Sequence, residues 1–507
     1  MRPVDVHRDA VGVRVSQTPT IETSTIETST LERLRNALSQ IWARVGLHPA
    51  SVFVLLSLAF GSAVSFVTPP LRGPDEISHF LRIYAYAHGE LLPAAEVDGR
   101  KGVLVEHELY HQLTFFKDAG VWFATNRERG VRYGQIMARY RDFSIAVDEL
   151  DPPPVFAPFA GTEGYTPVVY APYIVGAVIG RQLGLDCPDM LLLMRLLGLA
   201  AFTAIAAYAI AVTPILKWPF VLIALLPVSL YNRSVLSADG AALCAALAIT
   251  AVCLKHAWGL GAGRAWERSL WMTLCVLSKQ PQIVFILLEL TVSRLTELPR
   301  RWKSAAMVVL PGLILSPLWV RAVSADIAAW RLQVEAFHPP EHFDPLWKLG
   351  YMWEHPFHFP LAAWNALSGW GDRLWLELIG ILGWQDILLQ PWTYLLLTAL
   401  LILVPVQRVQ LDGATRARMA VMSGLTAVSY VVLVYLIFFL TYTPLDVDHV
   451  RGVQGRYFVI ALPVAAIFIA TVINRELPEG TPAAIAIAGS VIAGISTVEA
   501  LRQAHWY

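Results

Sequence analysis

The sequence predicts an all-α protein that crosses a membrane many times. Of its 507 residues, 56% are apolar and 15% are charged, and the mean hydropathy is +0.52. Soluble globular proteins carry about 25% charged residues. Seventeen tryptophans and seventeen tyrosines suit a chain with many membrane–water interfaces. The net charge of zero gives no argument for nucleic-acid binding.

Apolar runs long enough to cross a bilayer recur along most of the chain. A transmembrane helix needs about 20 apolar residues. The candidate spans are 51–68, 189–213, 218–233, 238–257, 304–322, 391–406, 416–440, 457–473 and 481–498, with a broken segment at 269–293. The polar residues 1–50 predict a disordered cytoplasmic tail rather than a cleavable signal peptide, and 51–507 the membrane domain.

Basic residues set the expected orientation. Arg33, Arg35 and Arg44 precede the first span, which predicts a cytoplasmic N-terminus by the positive-inside rule. Later basic clusters fall on the same side when the spans are counted in order. Two large regions are then extracytoplasmic: a charged first loop, 69–164, and a second, partly re-entrant region, 323–390.

The broken segment carries a lysine between two short apolar halves. Basic flanks on both sides imply an even number of crossings, yet each half of about a dozen residues spans only ~18 Å as a helix. We therefore expect two half-length helices that meet at Lys279. A lysine at that depth usually faces a cavity or a partner, and the alternative is that it extends to an interface.

An acidic doublet follows the first span directly. Asp75 and Glu76 stand after Pro74 at the expected start of a helix, with His79 and Arg82 on the next turns. One interpretation is that the two carboxylates only charge-match the positive end of that helix. The other is that they belong to a site at the membrane edge.

Further charged residues fall on the same predicted face. Asp239, Asp386 and Arg456 lie at helix ends there, and Lys279 approaches through the break. Carboxylates and cations that converge on one side of a helical bundle indicate a site for an anionic, membrane-held substrate. Each residue alone has a simpler explanation: Asp239 as a helix N-cap and Arg456 as an interface anchor.

An ordered set of short motifs resembles a known bacterial family. The motifs run from about Ser51 to Ile473: Pro74-Asp75-Glu76 with His79-Phe80, Tyr165-Thr-Pro167 with Tyr170-Ala-Pro172, Ser237-Ala-Asp239, Ser278-Lys279-Gln-Pro281, Gly383-Trp384-Gln-Asp386, and Gln454-Gly455-Arg456-Tyr457. Together they resemble domain of unknown function 2142, a multi-pass membrane family that looks like part of the GT-C clan of integral-membrane glycosyltransferases.

The resemblance implies a fold and a chemistry. It implies about eleven to thirteen membrane helices, a large first extracytoplasmic loop, and an acidic base just after the first helix. It also implies a sugar donor carried on a polyprenyl phosphate and a glycan or lipid acceptor, in the bacterial cytoplasmic membrane. At matching positions Asp75 becomes the catalytic base and Glu76 its helper, in an inverting transfer. Gln385 stands where a leucine is expected, which leaves Asp386 in place.

Phosphate and sugar chemistry then assigns roles to the remaining candidates. Arg456 and Lys279 would hold the departing phosphate, with Arg451 close by. Aromatic residues would pack against sugar faces, although an interfacial belt explains them as well. The predicted substrate-binding set is His79, Arg82, Tyr165, Tyr170, Asp239, Lys279, Gln280, Trp384, Asp386, Arg451, Gln454, Arg456 and Tyr457.

Three questions stay open at this level. The spacing of Asp75, Glu76 and His79 leaves room for a divalent cation, Mg²⁺ or Mn²⁺, and the cysteines show no metal-ligand spacing. A transporter or flippase for a lipid-linked glycan also needs an anion cavity, although no repeat relates the two halves. A non-catalytic assembly factor for surface polysaccharide is the third alternative. The sequence does not name the sugar, the linkage or the acceptor.

Overall fold

A computed structural model describes residues 48–125, 132–145, 153–260, 265–292 and 298–507. The predicted N-terminal tail, 1–50, therefore lies almost wholly outside the described residues. Seven helices in the described part are long and apolar enough to cross a membrane. The prediction of an all-α multi-pass membrane protein is confirmed. The count of eleven to thirteen membrane helices stays a prediction, because several further apolar helices are shorter than a full span.

The first loop contains a small antiparallel sheet that the sequence analysis did not predict. Strand β1 pairs with β2, and β2 with β3. Asp98 and Gly99 connect β1 to β2 with φ of +52° and +76°, the conformation that favours an Asp-Gly hairpin turn. In chain order the elements are α1 (Pro49–Val67), α2 (Glu76–Ala87), β1 (Ala95–Val97), β2 (Arg100–Val105), α3 (His107–Thr125), α4 (Tyr133–Ile145) and β3 (Val155–Pro158).

The next stretch holds the central helix of the bundle. The 3₁₀ turn Pro167–Tyr170 leads into α5 (Ala171–Gln182), α6 (Cys187–Val212), α7 (Lys217–Ala224), α8 (Pro227–Ser234) and α9 (Ala238–Ala257). The span predicted at 218–233 is thus two short helices, interrupted just before Pro227. Helix α9 is apolar on all sides and buried along most of its length, as expected for a helix enclosed by others.

The broken segment breaks where the sequence predicts. Helix α10 (Ala265–Ser278) ends at Lys279, whose backbone is extended, and a 3₁₀ helix follows over Gln280–Leu288 before α11 (Glu289–Val292). Pro281 has no amide hydrogen to donate and disfavours the α conformation of the residue before it, which accounts for the interruption.

The C-terminal part completes the bundle. Exposed apolar side chains between residues 345 and 358 include Trp353 and Phe357. The elements are α12 (Leu298–Val334), α13 (Pro345–Glu354), α14 (His358–Gly380), the hairpin β4 (Ile381–Leu382) and β5 (Ile387–Leu388), α15 (Pro391–Leu403), α16 (Gly413–Tyr442), the 3₁₀ helix Gly455–Ala461, α17 (Leu462–Ile473) and α18 (Thr481–His505). The region predicted at 323–390 is therefore mainly helical.

Candidate functional site

A cavity of about 370 Å³ opens where several helix ends meet. Asp75, Asp239, Lys279 and Arg456 share it, although they come from four separate parts of the chain. Apolar side chains of α10, α12 and α16 form much of the remaining wall, among them Val276, Leu277, Val320, Val434 and Ile437. The charged group and the apolar wall thus belong to one enclosure.

The four charged side chains form a chain of alternating sign, which we call the ion cluster. Arg456 donates from Nη2 to Oδ2 of Asp75 at 3.1 Å, and its Nε lies 3.6 Å from Oδ2 of Asp239. Lys279 donates from Nζ to Oδ1 of Asp239. The cluster carries no net formal charge, so an anion that enters meets two cations already neutralised by carboxylates.

Asp75 enters the cavity because of its backbone conformation. Its φ is +54°, in the left-handed region, and it occupies the N-cap position of α2 without making a side-chain cap hydrogen bond. The carboxylate instead reaches Arg456, and 65% of the side chain is exposed. Strained conformations at non-glycine residues concentrate at functional sites. The helix-capping interpretation of this residue does not describe its side chain.

Asp239 and Lys279 are positioned by the ends of α9 and α10. Ser237 is the N-cap of α9 and accepts from the amide of Asp239, which frees the aspartate side chain for Lys279 and Arg456. Lys279 lies at the break after α10, and its Nζ is 4.5 Å from the ring centroid of Tyr457. The lysine therefore faces a cavity and a partner, as its predicted depth indicates.

Arg456 is held by a close approach of its backbone to α14. The amide of Gly455 donates to Oε2 of Glu377 at 2.6 Å. A Cβ at position 455 would lie 1.8 Å from the carbonyl oxygen of Leu374, so glycine is required there. Sequence reasoning missed Glu377, because an acidic residue within a predicted outer region gives no sign of which amide it accepts from.

His79 borders the ion cluster as a buried neutral group. Its Nδ1 lies 2.6 Å from the hydroxyl of Tyr170, and its ring centroid is 5.6 Å from that of Tyr165. Burial lowers the pKa of His79 to about 4, against the opposing effect of Asp75 and Asp239. His79 and Tyr165 line the cavity, whereas Tyr170 does not line it and contacts His79 through its hydroxyl.

Glu76 lies outside the cavity, in a separate buried ion pair. Arg195 donates to both of its oxygens, at 2.8 and 2.7 Å. The amides of Gly73 and Leu236 donate to the same carboxylate at 2.9 and 3.0 Å. Glu76 thus anchors the turn that carries Asp75, and it does not line the cavity.

The three residues suggested for a divalent cation do not fit one. The Glu76 oxygens are taken up by four donors, and the Asp75 carboxylate is paired with Arg456. His79 directs Nδ1 to Tyr170. Within the described ranges, no group of three or more histidine, cysteine or acidic side chains is placed to hold a metal ion.

Four other predicted site residues lie away from the ion cluster. Arg82 is buried, with its guanidinium 4.2 Å from the Tyr86 ring centroid. The indole of Trp384 donates to the Leu71 carbonyl at 3.0 Å, and Asp386 accepts from Arg72 at 2.7 Å. None of these residues lines the cavity, and neither does Arg451.

The remaining predictions and several unpredicted residues do line it. Gln280, Gln454 and Tyr457 are predicted members that contribute to the cavity. Helices α12 and α16 add side chains that the sequence does not single out, because they lie in or next to predicted spans or, for Trp330 and Arg331, in the second predicted extracytoplasmic region. These are Ser316, Trp319, Trp330, Arg331, Tyr430, Phe438 and Tyr442.

Comparison with known protein families places the chain. A family described as "Predicted membrane protein (DUF2142)" matches residues 58–467. The chain belongs to this family. The resemblance based on the ordered motifs is confirmed at the level of the DUF2142 family, which is described only as a membrane protein. No curated protein and no solved structure matches this DUF2142 protein significantly.

Proposed function

We propose that this DUF2142 protein is an integral-membrane glycosyltransferase. It moves a sugar from a polyprenyl-phosphate donor to a glycan or lipid acceptor at the extracytoplasmic face of the bacterial cytoplasmic membrane. The observation that carries the proposal is the position of Asp75: an exposed carboxylate that lines a largely apolar cavity, 3.1 Å from Arg456. A proton acceptor and phosphate-binding cations are thereby within reach of one ligand.

The cavity wall favours a donor that arrives through the bilayer. Residues of α12, α16 and the segment 455–473 line the cavity, and all three segments are long and apolar enough to cross a membrane. Helix α12 packs mainly on α10, whereas α16 packs mainly on α17 and the 3₁₀ helix 280–288. Apolar side chains of both helices line the cavity, and this apolar lining suits the chain of a lipid-linked sugar.

The transfer needs one proton acceptor and one anion site. Asp75 takes the proton of an acceptor hydroxyl as its oxygen bonds to the anomeric carbon, and the bond from that carbon to the phosphate oxygen breaks. The electron pair leaves with polyprenyl phosphate, whose charge Arg456 and Lys279 stabilise. Attack opposite the leaving group inverts the anomeric centre. The proton then passes from Asp75 to water.

Asp239 organises the cations and does not enter the chemistry. It contacts Lys279 directly and lies 3.6 Å from Arg456, so it holds the two cations close to one another in the cavity. The arginine fork suits two phosphate oxygens, and the lysine adds a point charge. Neutral His79 and the ring of Tyr165 border the space where the sugar would lie.

Substitution of Asp75 by asparagine tests the proposal. Purified Asp75→Asn protein in nanodiscs should release polyprenyl phosphate from glucose, galactose or mannose donors about 10²–10⁴-fold more slowly than the wild type. Asp98→Asn is the matched control, because Asp98 is also an exposed aspartate with positive φ but lies in the β1–β2 turn. It should keep the wild-type rate.

Three results would contradict the proposal. Full activity of Asp75→Asn would show that Asp75 is not the catalytic base. An absence of turnover by the wild-type protein with every donor would favour a non-catalytic scaffold. Movement of an intact donor across the bilayer without cleavage would favour a flippase.

A further inference from the structure

We infer that Arg331 forms a second anion subsite, which binds an oxyanion-bearing sugar of the acceptor glycan. The inference rests on the proposed function and extends it to the class of acceptor. Arg331 lies near the end of α12 and lines the same cavity as the ion cluster. The sequence gives no local sign of this subsite, because Arg331 falls in the second predicted extracytoplasmic region, 323–390, as a single arginine.

The guanidinium of Arg331 is buried and incompletely paired. Its side chain is 4% exposed, and Nη1 lies 3.5 Å from Glu335, at the limit of a hydrogen bond. Nη2 is buried with no hydrogen-bond partner. Leaving a buried charged donor without an acceptor is unfavourable. An oxyanion in the cavity would supply the missing acceptor.

Aromatic rings fix the orientation of this guanidinium. Its central carbon lies 3.3 Å from the ring centroid of Tyr442 and 4.6 Å from that of Trp330. Both rings line the cavity. A guanidinium stacked on a ring keeps its edge free, and that edge matches the two oxygens of a carboxylate or phosphate.

The subsite is separate from the ion cluster. Lys279 contacts Tyr457, Tyr457 stacks on Phe438 with centroids 5.6 Å apart, and Phe438 contacts Tyr442 at 5.6 Å. Arg331 lies beyond Tyr442, so a strip of three rings separates the two cationic regions. A sugar that covers this strip would present its anionic group to Arg331 and not to Lys279.

The position of the subsite favours the acceptor over the lipid donor. The ring of Trp330 lies 3.8 Å from where a Cβ on Gly161 would be, and the side chain of Ile327 lies 3.0 Å from where a Cβ on Gly164 would be. Those glycines end the charged first loop, whose first turn carries Asp75. The Arg331 end of the cavity thus borders the non-spanning part of the protein, from which a polar glycan would enter.

Ligand-dependent thermal unfolding of the full chain in nanodiscs tests this subsite without requiring turnover. The probes are methyl glucuronide, glucose 6-phosphate and the neutral methyl glucoside. At least one anionic sugar should raise the unfolding temperature of the wild type, and the glucoside should not. Arg331→Gln should weaken that binding roughly tenfold to hundredfold, as expected for the loss of charge-assisted hydrogen bonds.

Three further variants make the result specific. Arg331→Lys keeps the charge but loses the planar fork, so its affinity for the anionic sugar should lie between those of the wild type and Arg331→Gln. Arg321→Gln removes an exposed arginine from the same helix and should bind as the wild type does. Asp75→Asn should also retain binding, which separates a failure of this subsite from a failure of the proposed catalytic base.

Each outcome decides the inference. A shift with the glucuronide alone identifies a carboxylate ligand, and a shift with the phosphate alone identifies a phosphate ligand; both support the subsite. The inference is overturned if neither anionic sugar shifts the wild type, if the glucoside shifts it equally, or if Arg331→Gln binds unchanged.

Discussion

Two carboxylates adjacent in the chain have opposite environments. Glu76 is fully buried and accepts from Arg195 and two backbone amides. Asp75 is 65% exposed, lies on a left-handed backbone and contacts Arg456 at 3.1 Å. The first arrangement satisfies the carboxylate completely, whereas the second leaves acceptor capacity open to a ligand.

The difference separates electrostatics that hold the fold from electrostatics available for chemistry. A buried ion pair tolerates the loss of neither partner, because the remaining charge is stranded away from water. An exposed carboxylate in a strained turn contributes little to stability and can exchange its partner for a substrate.

The largest expected effect on stability comes from Glu76. Glu76→Gln leaves the Arg195 guanidinium without its counter-charge and should lower the free energy of unfolding by about 3–5 kcal/mol. Asp75→Asn, one residue away, should change it by less than about 0.5 kcal/mol. Thermal unfolding of both variants in one detergent checks this. Equal stability of the two variants would erase the distinction between the two carboxylates.

A smaller effect is expected where Arg456 is anchored. Gly455→Ala places a methyl group against the Leu374 carbonyl and should destabilise the protein by about 1–3 kcal/mol, with a loss of donor turnover because Arg456 moves. Gly134→Ala is the matched control, since nothing lies within 4 Å of its Cβ position in α4. It should preserve or slightly raise stability. Wild-type turnover in Gly455→Ala would show that the close backbone contact at Gly455 is not needed to position Arg456 for turnover.

The smallest effect at neutral pH concerns His79. Its pKa in the folded state is about 4, below the usual value of 6.5, because it is buried. The unfolded chain therefore binds the proton first as the pH falls, and stability should decrease between pH 6.5 and 4 by up to about 3 kcal/mol. His79→Gln should flatten that decrease in unfolding measurements across this range.

Tyr170→Phe provides the control for this pH dependence. It removes the hydroxyl bonded to His79 and keeps the ring that buries it. Since burial is the main cause of the lowered pKa, the decrease should persist in this variant. A profile as flat as that of His79→Gln would instead assign the effect to the hydrogen bond.

Sequence reasoning was most reliable where a local signal sets the structure. The break at Lys279 follows from Pro281 and from a charge between two apolar runs. Counting spans and basic loops predicts that Asp75, Glu76, Asp239, Asp386, Lys279 and Arg456 share one face. The structure brings four of the six together, whereas Glu76 pairs with Arg195 and Asp386 with Arg72. The orientation relative to the membrane stays a prediction.

Side-chain direction was beyond reach for a physical reason. Which way Glu76 points depends on the rotation of α2 against α6, where Arg195 lies in the middle of an apolar run. Arg331, Trp330 and Tyr442 become neighbours only through the packing of α12 near α16. The Asp98-Gly99 hairpin did carry a local signal, which the strong helical composition of the chain obscured.

The ion cluster also has a consequence for biosynthesis. Asp75 and Arg456 are 381 residues apart in the chain, and Asp239 and Lys279 lie between them. Nearly the whole protein must therefore be translated before Arg456 can join the other three charged residues. The ion cluster is therefore incomplete in any chain that ends before residue 456.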